Sequence, residues 1–227
     1  MSKINYCLPI IKIKKADVLS EIKNNPSYDF YEIWLDYLID MDEIFIEDLV
    51  SQYDGKLIML LRRKKLETPK LSLQMRQKIM CLLANKKILL DLDISQVEEL
   101  SFIKTKKLII QLLCSYHNYR ETPDDKMLAE IHTTMKKHNP VIYKIATFCN
   151  DDSDAVRLMK LLAKLKSQDQ KHIILGMGKF GTMTRIAGAL WGNAINFVPT
   201  TKEEASAPGQ LTKQQLETII KELVPKT

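Results

Sequence analysis

The sequence predicts an α/β protein of the (β/α)8 TIM-barrel class, with residues 1–227 forming a single domain. Three observations predict it. Short β-branched or Leu-rich runs alternate with longer amphipathic stretches, the pattern of repeated βα units around a parallel sheet. Eight such units fit into 227 residues, and no Pro/Gly-rich spacer divides them. The hydrophobic content of 45% is ample for one buried core. An open doubly wound sheet is the structural alternative.

The predicted strands are Asn5 to Ile10, Asp29 to Leu35, Lys56 to Leu61, Lys87 to Asp91, Lys107 to Cys114, Val141 to Thr147, His172 to Met177 and Asn196 to Val198. Helices are predicted to begin near Ala16, Met41, Leu71, Gln96, Thr122, Asp151, Thr182 and Thr212. In the sixth, Asp151 or Ser153 supplies a cap. Val156, Met159, Leu162 and Ala163 recur at helical spacing beside Arg157, Lys160 and Lys164, giving one core face and one wet face.

Composition narrows the function classes. Cys7, Cys81, Cys114 and Cys149 are far apart and form no C-x-x-C pair, so neither a disulfide framework nor a zinc site is signalled. The start of the chain has no long apolar h-region, and no stretch is apolar enough to span a bilayer. A reducing cytoplasm is the expected location. The net charge is +6, and the densest basic run is Arg62-Arg63-Lys64-Lys65. No aromatic residues interleave the basic ones, so no nucleic-acid partner is expected.

In such a barrel, chemistry belongs at the C-terminal ends of the strands. Lys144 lies within the apolar sixth strand, where alternation points it either into the barrel or into the helix layer. Burial lowers an amine's pKa, by up to ~3–5 units for a fully buried group, which favours a nucleophile for a carbonyl. Pairing with a buried acid is the alternative. His117 follows the fifth strand, next to the sixth, and suits proton transfer, although a histidine there also serves as a loop hydrogen-bonder. His132, His138 and His172 show no metal-ligand spacing, and neither a metal nor a cofactor is expected.

Gly176-Met-Gly-Lys-Phe-Gly181 fits G-x-G-x-x-G, but only one strand follows it and no acidic residue stands at that strand's end. The motif is read as a tight turn at the mouth of strand seven rather than a dinucleotide site. Arg185, in the next helix, is placed to clamp an anion or to lie on the helix surface. The polar loop from Pro199 to Gln210 has the composition of a lid, with Ser206 and Gln210 as hydrogen-bonding groups, and equally that of an exposed loop.

Together these segments resemble the type I 3-dehydroquinate dehydratases. The carriers are Ser115-Tyr-His-Asn-Tyr with Thr122-Pro123, Tyr143-Lys-Ile-Ala, Gly176-Met-Gly-Lys-Phe-Gly with Thr184-Arg185, and Ala205-Ser-Ala-Pro-Gly-Gln. The resemblance spans nearly the whole chain. It implies conversion of 3-dehydroquinate to 3-dehydroshikimate through a Schiff base on Lys144, with His117 as general acid and base. It also implies substrate contacts from Glu32, Arg62, Arg185, Ser206 and Gln210, and a homodimer.

Two features depart from the family pattern. Trp34 stands where the family usually has an arginine, and Arg63 is a basic residue that could restore a positive partner. The family's Glu-Gly-Gly turn after strand three is missing, and Glu67 either supplies the lost carboxylate or leaves it unreplaced. Another Schiff-base barrel, such as a class I aldolase, and a weakened relative of the family are the competing readings.

Overall fold

The computed structural model describes residues 3–63, 70–168 and 170–224. Eight strands, β1 (Tyr6–Ile10), β2 (Phe30–Trp34), β3 (Leu57–Leu60), β4 (Leu89–Asp93), β5 (Gln111–Asn118), β6 (Ile142–Phe148), β7 (His172–Met177) and β8 (Asn196–Phe197), alternate with eight helices. The helices are α1 (Lys15–Asn24), α2 (Glu43–Gln52), α3 (Leu73–Leu83), α4 (Val97–Thr105), α5 (Asp125–Lys136), α6 (Asp152–Lys166), α7 (Gly178–Trp191) and α8 (Lys213–Leu223). All strand pairs are parallel, in the order β7-β6-β5-β4-β3-β2-β1-β8. This is a (β/α)8 barrel.

The Asn193 side chain and the Ala194 backbone, just before β8, join it to β7. Asn193 Oδ1 accepts from the Ile174 amide at 2.9 Å, and its Nδ2 donates to the Ile174 carbonyl at 3.1 Å. The amide thus replaces a peptide unit on the edge of β7. Ala194 N donates to His172 O at 2.8 Å and carries the join one residue further.

Two apolar layers follow from strand alternation. Ile58, Leu89, Leu113, Ile142 and Ile173 fill the barrel, while Ile33, Leu90, Cys114, Ile145 and Ile174 face the helices. Burying each large aliphatic side chain contributes about 1.5–3 kcal/mol. The inner positions of β2, β4, β5 and β6 become polar towards their C-terminal ends, where Glu32, Asp91, Ser115 and Lys144 are all buried. The apolar plug therefore supports a polar mouth.

Three expectations shift. Strand β5 runs four residues later than its sequence suggests, because Lys107 adopts a left-handed φ of 52° in the connection before it and the polar residues to Asn118 pair with β6. His117 consequently lies within the strand. Helix α7 begins at Gly178, so Gly176 and Met177 end β7 and the run from Gly178 to Gly181 forms the first turn of the helix. In α6, Asp151 caps as expected, but the buried face is Ala155, Leu158, Leu162 and Leu165, while Val156 is exposed. Asp154 fixes this rotation: one oxygen accepts from Asn150 N at 2.9 Å and the other from Arg157 at 2.7 Å, drawing that side of the helix inward.

Candidate active site

Lys144 points into the barrel. Its Nζ lies 2.8 Å from Asp91 Oδ2 on β4 and 3.2 Å from Glu32 Oε1 on β2, with the Phe197 ring centroid 4.2 Å away. Burial pulls the ammonium's pKa down, but the charges of Asp91 and Glu32 outweigh it and hold the value above that of a free lysine. The resting side chain is therefore an ammonium, which corrects the expectation that burial alone would free the amine. The cradle extends outward, since Asp91 Oδ1 accepts from Ser115 Oγ at 2.5 Å and Glu32 Oε2 from the Trp34 indole N–H at 2.9 Å.

His117 is one strand away. Asp93 Oδ2 accepts from its backbone amide at 3.0 Å and contacts ring Nδ1 at 3.1 Å. That contact assigns the Nδ1–H tautomer and leaves the Nε2 lone pair available. Burial, followed by the positive charge of Arg63, lowers the pKa to about 4 against the opposing pull of Asp93. The imidazole is neutral at physiological pH and fit to act as a base.

Arg185 is buried at 7% exposure, and its Nε and Nη2 have no hydrogen-bond partner. Desolvation pushes its pKa down to about 10, which leaves it cationic at neutral pH. A buried, incompletely paired guanidinium lining a cavity is a ready anion receptor. Its place depends on a glycine contact: a Cβ on Gly176 would fall 2.7 Å from the Gly181 Cα, so helix and strand backbones touch. Thr184 Oγ1 locks the junction by accepting from Gly176 N and donating to Gly181 O, both at 2.6 Å.

The same junction rules against a dinucleotide pyrophosphate. Gly178 N, at the start of α7, donates to Pro208 O of the lid at 3.1 Å, and a Cβ on Gly209 would overlap the Gly178 carbonyl. The lid occupies the helix end that a phosphate would need.

Ser206 and Gln210 both line the cavity. They are bonded to each other: Gln210 Oε1 accepts from Ser206 N at 2.7 Å, and Gln210 Nε2 donates to Ser206 Oγ at 3.1 Å. Lys12 ties the lid to the rest of the barrel through Glu204 at 3.2 Å and Glu21 at 3.0 Å.

Lys144, His117, Glu32, Arg185, Ser206 and Gln210 therefore meet around one cavity. Arg62 does not line it. Its guanidinium lies 3.8 Å from the Tyr37 ring centroid, and its backbone is held by the Asp36 carboxylate and Arg76. Arg63 lines the cavity instead and donates to Tyr119 Oη at 2.6 Å. Glu67, with Lys64 and Lys65, lies outside the described residues.

Asp91, Asp93, Ser115 and Tyr119 join the site without a role read from the sequence, whereas Arg63 takes up the position expected of a substitute positive partner. The signal for the two aspartates was parity: Leu89, Asp91 and Asp93 share the inward face of β4.

Fold and site define a (β/α)8-barrel enzyme with a buried lysine ammonium and a neutral imidazole at the C-terminal mouth. Residues 6–224 match the family model for type I 3-dehydroquinase. The chain belongs to this family of hydro-lyases. A 3-dehydroquinate dehydratase of Methanococcus maripaludis strain C6 is 26% identical over 226 residues, covering 94% of this chain and 97% of its own. One of Coxiella burnetii strain CbuK_Q154 is 28% identical over 214 residues, covering 90% and 87%. The crystal structure of the Geobacillus kaustophilus 3-dehydroquinate dehydratase superposes with a TM-score of 0.84 at 21% identity, covering 99% of this chain and 93% of that one.

Proposed function

We propose that this chain dehydrates 3-dehydroquinate to 3-dehydroshikimate through an imine on Lys144. The step belongs to the shikimate pathway, which leads to chorismate and the aromatic amino acids. The enzyme works without a cofactor, as a cytoplasmic homodimer. The observation that carries the reading is the position of Lys144 Nζ between Asp91 and Glu32, beside a neutral His117.

In this mechanism Arg185 pairs with the substrate carboxylate and holds the C3 ketone over Lys144. The ammonium gives its proton to the Asp91–Glu32 cradle, and the amine adds to C3. The cradle proton, relayed through the free Nε2 of His117, then reaches the carbinolamine hydroxyl, which leaves as water and returns both carboxylates to their anionic form. The resulting iminium is a cation in the place of the ammonium, so the same carboxylates stabilise it. His117 Nε2 then removes a proton from C2, and the electrons move to the imine nitrogen. The C1 hydroxyl leaves as water with the proton held by His117, and hydrolysis of the imine frees the product. One water is lost overall. A positioned base of this kind contributes about 10²–10⁴-fold. Glu32, Arg63, Ser206 and Gln210 serve the remaining polar groups of the substrate, and the lid excludes bulk water.

The test is incubation with 3-dehydroquinate and borohydride, followed by peptide mass spectrometry. A reduced adduct on Lys144 is expected, together with enone absorbance in the untreated reaction. The absence of both would overturn the proposal.

A further inference from the structure

Glu32 is 2% exposed, and its two oxygens face different partners. Oε1 takes the Lys144 ammonium at 3.2 Å, and Oε2 takes the Trp34 indole N–H at 2.9 Å. Both side chains come from the inward face of β2. The indole is itself fixed: Trp34 is 8% exposed and stands edge-on to Tyr37 at 5.7 Å and 66°. An indole N–H is a neutral donor. It orients a carboxylate without cancelling the charge, whereas a cation at the same point would compete with Lys144 for it.

We propose that Trp34 is a positioning residue. It turns Glu32 so that one oxygen stays on Lys144, and by remaining neutral it leaves the full carboxylate charge to the ammonium. The charged and titratable groups around Lys144 come from several elements: Asp91 and Asp93 from β4, Glu32 from β2, His117 from β5, Arg63 from the end of β3 and Arg185 from α7. Among these groups, Glu32 is the one that Trp34 hydrogen-bonds. The identity of residue 34 thereby sets the pH at which Lys144 becomes a free amine. The effect on turnover rests on the imine reading above; the titration of Lys144 does not.

The experiment is competitive acetylation of the full chain with acetic anhydride at graded pH, read at Lys144 by peptide mass spectrometry, for wild type, Trp34→Phe and Trp34→Arg. Trp34→Arg is expected to lower the Lys144 midpoint by about one pH unit or more, as a nearby like charge does. Trp34→Phe keeps a ring but loses the donor, so Glu32 is free to turn away from Lys144 and the midpoint should fall by less than in Trp34→Arg, while kcat drops about tenfold with KM changed less. Either variant decides the matter alone. An unmoved midpoint in either folded variant, or wild-type kcat in folded Trp34→Phe, would overturn the inference. If wild type fails to dehydrate 3-dehydroquinate while both midpoints still shift, the proposed reaction falls and the role of Trp34 stands.

Discussion

Asp91 Oδ2 lies 2.8 Å from Lys144 Nζ, closer than Glu32 Oε1 at 3.2 Å, and its other oxygen is held by the Ser115 hydroxyl. Asp91 is therefore the principal counter-ion of the buried ammonium. Replacing it leaves that charge half-compensated, and breaking a buried pair costs about 3–5 kcal/mol. Asp91→Asn should lose about 3 kcal/mol in urea unfolding at neutral pH, the low end because Glu32 remains. The pH sign follows from the raised Lys144 pKa: the pair's contribution is fully present below the unfolded lysine's value, about 10.4, and is lost as pH rises through the higher folded value. The deficit of Asp91→Asn should thus shrink in strongly alkaline buffer. A deficit that persists unchanged there would point to lost packing instead.

His117 titrates in the opposite sense. Its folded pKa of about 4 lies below the unfolded value, about 6.5, so between these limits the unfolded chain binds more protons and stability falls as the pH is lowered. The cost at the acid end is on the order of a few kcal/mol, and His117→Asn should remove that acid sensitivity while abolishing turnover. Wild-type kcat/KM should hold nearly flat from pH 7 to about 5.5 and decline below that. An acid limb centred near 6.5 would show that His117 is not desolvated as the structure has it.

Asp93 fixes which ring nitrogen of His117 carries the proton. In Asp93→Asn the amide can donate to Nδ1, which would move the proton to Nε2 and leave the ring without a lone pair for C2. A tautomer-directing aspartate of this kind is worth about 10⁴-fold in kcat in the serine-protease triad, where the acid is similarly buried. Asp93→Asn should therefore lower kcat by at least about 10²-fold, with KM much less affected. A change confined to KM would place Asp93 in substrate binding.

Much of this arrangement is legible in the sequence, and the rest is hidden for physical reasons. An ammonium within an apolar strand is conspicuous, so Lys144 stands out, but its protonation state depends on Asp91 and Glu32, which lie on other strands. Asp91 and Asp93 look like the end of a strand because their partners come from β5 and β6. Arg62 and Arg63 are adjacent in sequence, and that Arg63 lines the cavity while Asp36 and Arg76 hold the Arg62 backbone is a matter of long-range contacts. The lid composition is readable, whereas the Ser206–Gln210 pairing within it is a matter of loop geometry.

Arg185 gives a case in which function and stability oppose each other. Its Nε and Nη2 are buried without hydrogen-bond partners, and desolvation lowers its pKa to about 10. A guanidinium in that condition destabilises the free protein and becomes favourable once an anion arrives. Arg185→Met keeps much of the apolar stem and removes the charge. The variant should melt a few degrees higher than wild type, as about 1 kcal/mol of relief implies for a chain of this size, while KM for 3-dehydroquinate rises about 10²-fold for the loss of a buried charge-assisted pair. Calorimetry and steady-state kinetics on the same preparation check both halves. A lower melting temperature would mean that the guanidinium is already satisfied within the fold, and an unchanged KM would mean that the substrate carboxylate is held elsewhere.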